Sequence, residues 1–177
     1  MGSTIGSEQA KHLQLAVNVS ARQFHQTEFV GQVSQILSST AISPSKLKLE
    51  LTESLVLKNI DEAIFKMNEI REMGVNFSMD DFGTGYSSLS NLKKLPFNQL
   101  KIDQSFVRDI ANDPDDVVIV QTIISMGKNL GMNVIAEGVE TEVQRAFLEQ
   151  HGCSLYQGYL FSKPVPIEVF ESLLKPI

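Results

Sequence analysis

The sequence predicts an α/β fold of about six strand–helix units built on a parallel sheet. Three observations carry this. From residue 13 onward, short apolar runs bounded by breakers alternate with longer stretches whose apolar residues recur every three or four positions. Three junctions share one order, helix then glycine then strand: Met73-Gly74-Val75, Leu130-Gly131-Met132 and His151-Gly152-Cys153. The connections are brief, as expected where helical crossovers join parallel strands. Six such units fit either an open doubly wound sheet or part of a (β/α) barrel.

Taken in order, residues 13–19 read as the first strand and 28–40 as a helix. Residues 47–51 form the second strand. The clearest helical pattern is 60–73, where Ile60, Ile64, Met67, Ile70 and Met73 fall on one stripe and Gly74 follows as a left-handed cap. A strand at 75–79, a helix near 87–94 and a strand at 99–102 come next. The helix at 115–130 ends at Gly131 and leads into a strand at 132–136. Thr141 and Gln144 have capping-box spacing and open a helix that stops before Gly152. Residues 155–161 read as the sixth strand. Pro166 suits the first turn of a final helix around 167–174, where its missing N–H costs nothing.

Composition bounds the function classes. The chain has 177 residues, with 15 Lys and Arg against 21 Asp and Glu, a net charge of −6. At 42% hydrophobic and 20% charged it can bury a core, which excludes a disordered chain. No run reaches the ~18 uncharged apolar residues of a membrane span, so no membrane contact is expected of this segment. The acidic balance and the lack of a basic stripe argue against duplex nucleic acid. A single cysteine, Cys153, forms no internal disulfide and no thiolate cluster, which fits a reducing, cytoplasmic setting. Residues 1–12 read as a tag-like or frayed N-terminus, and 13–177 as one domain.

Polar residues gather where the strands end. Asn18 closes the first, Glu50 and Glu53 the second, Asp80 and Asp81 the third, Lys101 and Asp103 the fourth, Glu137 and Glu140 the fifth, and Gln157 falls in the sixth. In α/β architectures the C-terminal strand ends form the ligand-binding rim. Singly, each residue has an ordinary explanation: a helix cap, a surface lysine, a turn former. Met67, Met73, Met79, Met126 and Met132 read as core filler, and Cys153 as a small buried hydrophobe. Six strands delivering polar groups to one rim is the stronger signal. Clustered carboxylates repel one another unless a cation compensates, and hard oxygen donors suit Mg2+ or Mn2+ rather than Zn2+. Two such ions ~3.5–4 Å apart serve phosphoryl chemistry. A Mg2+-dependent lyase or aldolase on a barrel would use a similar rim.

Six stretches together resemble the EAL-domain family of cyclic di-GMP phosphodiesterases. They begin with Asn18-Val19-Ser20-Ala21-Arg22-Gln23-Phe24, Glu50-Leu51-Thr52-Glu53 and Asp80-Asp81-Phe82-Gly83-Thr84-Gly85-Tyr86-Ser87-Ser88. Lys101-Ile102-Asp103-Gln104-Ser105-Phe106-Val107, Ile135-Ala136-Glu137-Gly138-Val139-Glu140-Thr141 and Gln157-Gly158-Tyr159-Leu160-Phe161-Ser162-Lys163-Pro164 follow in family order. The resemblance implies one metal on Asn18, Glu50 and Asp80, and a second on Asp80, Asp81 and Glu137. It implies a catalytic pair, Lys101 holding the attacking water and Glu137 as general base. It implies that Glu53 anchors the Asp-Asp-Phe-Gly loop, and that Asp103, Glu140 and Gln157 line the substrate pocket. The implied reaction is Mg2+- or Mn2+-dependent hydrolysis of cyclic di-GMP to linear pGpG.

The Glu-Ala-Leu triplet that names the family is absent. In the family it supplies a metal ligand and precedes a phosphate-gripping arginine. A whole barrel of this kind takes roughly 250 residues. The expectation is therefore an incomplete TIM-like barrel lacking its first two units, with 13–177 as the C-terminal three-quarters of an EAL domain. Open sheet edges then predict a homodimer or edge-mediated oligomer. The chain as it stands is expected to be inactive or weakly active, its parent an active enzyme carrying sensor or diguanylate cyclase modules, and itself cytoplasmic or membrane-tethered. The alternative is a non-catalytic module that binds cyclic di-GMP or docks a protein.

Overall fold

The computed structural model describes residues 13–83 and 89–174. The chain runs β1 (Leu15–Asn18), α1 (Ala21–Phe24), α2 (Phe29–Thr40), a 3-10 turn (Pro44–Lys46), β2 (Leu47–Thr52), α3 (Glu53–Leu57), α4 (Ile60–Glu72), β3 (Asn76–Phe82), α5 (Leu89–Leu92), β4 (Gln99–Ile102), α6 (Gln104–Arg108), α7 (Pro114–Asn129), β5 (Asn133–Ala136), α8 (Glu142–Gln150), β6 (Leu155–Tyr156) and α9 (Ile167–Leu173). The six strands lie side by side in chain order and every adjacent pair is parallel. Strand order without a switch point is the order of a barrel, not of a doubly wound sheet. The sheet curls with helices on its convex side and stops short of closure: among the described residues β1 and β6 do not pair.

The strands alternate in character. On the convex face, Leu49, Leu51, Phe77, Met79, Leu100, Ile102, Val134 and Ala136 are buried. They pack with Met67 and Ile70 of α4, Ile123 and Ile124 of α7 and Leu148 of α8 in one continuous core. On the concave face stand Lys48, Glu50 and Thr52 of β2, Asn76, Ser78 and Asp80 of β3, and Gln99 and Lys101 of β4, in the period of two that a pleated strand imposes. The two burial environments explain why strands read as mixed rather than wholly apolar.

The junction glycines do what their position requires: Gly74, Gly131 and Gly152 have φ of +96°, +72° and +82°, closing three helices in the left-handed conformation. Thr141 and Gln144 form the expected capping box on α8. Methionines 67, 79 and 132 are buried, as is Cys153. No described helix is long and apolar enough to cross a membrane.

Three features differ from the sequence reading. Short helices α1, α3 and α6 appear where no periodicity could show, because four or five residues complete little more than one turn. Local side chains hold two of them: Ser20 and Gln23 form a capping box on α1, and Asp103 accepts from the Ser105 N–H at the start of α6. Buried Lys66 closes the other end of α1, donating to the carbonyls of Phe24 and Gln26 at 3.0 and 3.1 Å. Second, β6 has two residues rather than seven. Gly158 passes so close to β5 that a Cβ there would sit 2.1 Å from the Val139 carbonyl oxygen, and the chain then turns, Leu160 N–H bonding that same oxygen at 3.0 Å. Third, β1 is an open edge: Leu15 is 54% exposed, Val17 39%, and Asn18 is exposed as well. Asn18 is exposed because, among the described residues, no strand pairs with that side of β1.

The burial pattern sets an expected outcome for stability. Phe77→Ala empties a site of zero exposure between sheet and helices and should cost about 3–5 kcal/mol in denaturant unfolding. Phe65→Ala, on an exposed face of α4, should change it by less than about 0.5 kcal/mol.

Candidate metal-dependent active site

Regular pleating sends neighbouring side chains to opposite faces, so Asp80 and Asp81 could not both reach the rim from an ideal strand. Strand β3 avoids this with an irregularity. Its register to β4 shifts between Met79 and Phe82, and Asp81 takes φ +55°, a left-handed conformation that aspartate tolerates better than most residues. Carboxylate oxygens of Asp80, Asp81 and Glu137 consequently lie within 4.8 Å of one another. The turn of this loop thus begins at Asp81 and continues through Gly83 with φ +99°. Residues 84–88 of that motif lie outside the described residues.

The group at the centre is Lys101, whose residue exposure is 4%. Its Nζ lies 2.7 Å from Glu137 Oε1, 2.9 Å from Glu50 Oε2 and 3.0 Å from Asp80 Oδ1. Burial alone would drive this ammonium toward its neutral form. The three carboxylates outweigh that and hold its pKa above the ordinary lysine range. Burial raises the pKa of Glu137, with Lys101 pulling it back in part. Burial also raises Asp81, assisted by the like charges of Asp80 and Asp103. One cation against four carboxylates leaves the rim with a surplus of negative charge.

The remaining sequence-derived residues take distinct places. Asn18 is in register with Glu50 on the neighbouring strand, so its amide stands beside that carboxylate. Glu53 opens α3 and is buried at 4% exposure. Glu53 Oε1 and Asp80 Oδ1 are buried without a hydrogen-bond partner among the described residues, Asp80 Oδ1 keeping its ion pair with Lys101. Asp103 caps α6. Glu140 and Gln157 line a cavity of about 310 Å³ together with Glu137, Gln104 and Tyr159. The last two went unnoticed in the sequence. Also unnoticed was the layer beneath Lys101, where Ser78 Oγ and Lys48 Nζ both donate to Gln99 Oε1, at 3.2 and 2.9 Å. The period-two polar residues 48, 50 and 52 carried that signal.

Hard oxygen donors within 4.8 Å of one another and a net negative rim fit a divalent cation of the Mg2+ or Mn2+ type. Carboxylates at the strand ends of a parallel barrel-type sheet define the class: a (β/α) barrel-type fold with an acidic rim. The EAL domain family matches residues 3–164, and the chain belongs to that family. It is 45% identical over 154 residues to MucR of Pseudomonas aeruginosa, a bifunctional diguanylate cyclase/cyclic di-GMP phosphodiesterase, covering 87% of this chain and 22% of MucR. It is 44% identical to the cyclic di-GMP phosphodiesterase NbdA of the same organism, covering 93% and 21%. The chain thus spans about a fifth of the length of these curated relatives. A MucR phosphodiesterase structure in complex with c-di-GMP superposes with a TM-score of 0.86 at 44% identity, over 89% of this chain and 64% of that one. A manganese and cyclic di-GMP complex of BlrP1 from Klebsiella pneumoniae gives 0.79 at 32% identity, over 90% and 41%.

The electrostatics set an expected outcome. Lys101→Met removes the buried cation that three half-buried carboxylates share, and without divalent metal it should destabilise the chain by about 3–5 kcal/mol. Added Mn2+ should restore part of that loss, measured as the denaturant midpoint with and without metal.

Proposed function

We propose that this chain hydrolyses cyclic di-GMP to linear pGpG in a reaction that requires Mg2+ or Mn2+. The observation that carries this reading is the contact of Lys101 with Glu50, Asp80 and Glu137, three residues delivered by three different strands to one point. It is supported by family membership and by the c-di-GMP complex among the structural neighbours.

Asn18, Glu50 and Asp80 would hold one ion, and Asp80, Asp81 and Glu137 the other. Bound there, divalent cations would supply Lewis acidity toward the phosphate and acidify a coordinated water. Lys101, with its charge locked on by the surrounding carboxylates, offsets negative charge developing on the phosphate oxygens. Glu137 faces both Lys101 and the small cavity, a position from which it accepts the proton of the attacking water. Glu140 and Gln157 contact the nucleotide from the same cavity, Asp103 fixes the start of α6 beside Asp81, and Glu53 anchors the loop after β3. The reading includes a cytoplasmic setting, supported by the lone buried thiol of Cys153, and companion sensor or diguanylate cyclase modules, supported by the bifunctional description of MucR.

Incubation with cyclic di-GMP and Mn2+ should give pGpG. Asp80→Asn and Lys101→Ala should each lower turnover about 10²–10³-fold, the scale of losing one electrostatic contact to the reacting group. Tight binding of cyclic di-GMP with no turnover in any metal would instead establish the non-catalytic binding module.

We also propose that the chain self-associates through β1. Among the described residues its outer backbone edge pairs with no strand, Leu15 and Val17 are exposed, and the strand itself carries no proline or charged side chain to block approach. Light scattering at micromolar concentration should give a dimer or larger, and Val17→Lys should return it to the monomer mass.

A further inference from the structure

A second cleft, of about 700 Å³, lies at the opposite end of the half-barrel, where the strands begin. Lys48, Arg71, Lys93 and Lys94 line it, with seven side-chain amides, and no carboxylate occurs among its described lining residues. This is an unexpected charge balance in a chain of net charge −6. Four cations elsewhere sit on carboxylates: Lys66 on Glu62, Lys101 on its three partners, Arg108 on Asp109, Arg145 on Glu142 and Glu149. Arg71, Lys93 and Lys94 make no ion pair among the described residues. Lys48 is held at the cleft floor by a neutral amide, its Nζ 2.9 Å from Gln99 Oε1.

We propose that this cleft binds a phosphorylated small molecule carrying at least two negative charges. Its volume falls in the ~300–1,000 Å³ span of small-molecule sites. An arginine fork grips phosphate through two parallel N–H bonds, and lysines add point charge. The amides donate to further phosphate oxygens and accept from hydroxyl or amino groups of whatever the phosphate is attached to. The inference is independent of how the acidic rim is read. Gln99 belongs to the cleft and Lys101 to the rim, two residues or about 7 Å further along β4. The Ser78–Gln99–Lys48 layer stands between the two.

Calorimetric titration with inorganic pyrophosphate in metal-free buffer containing EDTA tests this. The native chain should show one saturable site. Reversing two exposed charges, Arg71→Glu with Lys94→Glu, should weaken binding at least about tenfold while the circular dichroism spectrum is unchanged. The milder pair Lys93→Gln with Lys94→Gln should weaken it in the same direction. Asp80→Asn with Asp81→Asn should retain it, since the rim takes no part. The proposal is overturned by the absence of saturable binding below roughly 10 mM, by unchanged affinity in both charge variants, or by loss of binding in the Asp80/Asp81 variant instead.

Discussion

The structure depends on one buried ammonium. Glu50, Asp80 and Glu137 arrive from three strands with side-chain exposures of 10%, 17% and 18%, and carboxylates brought that close out of water repel strongly. Lys101 lies between them at 2.7–3.0 Å and makes their convergence tolerable. It does not neutralise them. The surplus negative charge is what a divalent cation would answer. Stability and chemistry meet in a single side chain, supported from below by the neutral Ser78–Gln99–Lys48 layer.

The second constraint is geometric. A pair of adjacent acidic residues serves one site only when the strand breaks its own alternation. The register shift after Met79 and the left-handed Asp81 accomplish this at a small conformational cost, borne where β3 is otherwise anchored by buried Phe77 and Met79. The irregularity is part of the site, as it commonly is where strands end at a rim.

Much of this was legible in the linear sequence. Long helices such as α4 and α7 announce themselves through several turns of apolar stripe, and helix–glycine–strand junctions mark parallel crossovers. Polar residues at six strand ends pointed to the rim before any coordinates. What stayed hidden had physical reasons. One-turn helices leave no periodic trace. The left-handed Asp81 has no compositional mark, since aspartate is equally at home in a turn or a cap. The exposure of Asn18 has no local mark either, since it follows from the edge position of β1 among the described strands. The shortness of β6 follows from a contact with Val139, nineteen positions earlier than Gly158, which no local window contains.

That contact reaches beyond strand length. Gln157 N–H bonds the Ala136 carbonyl at 2.8 Å, Val139 N–H bonds the Gln157 carbonyl at 3.1 Å, and Glu137 N–H is tied to Ile102 at 3.1 Å. With no room for a side chain at Gly158, the turn carrying Gln157 and Tyr159 is keyed to the backbone that carries Glu137. The wall of the small cavity and the carboxylate beside it therefore form one mechanical unit. Any displacement of this turn carries Glu137 with it, and with Glu137 the geometry of the cluster around Lys101.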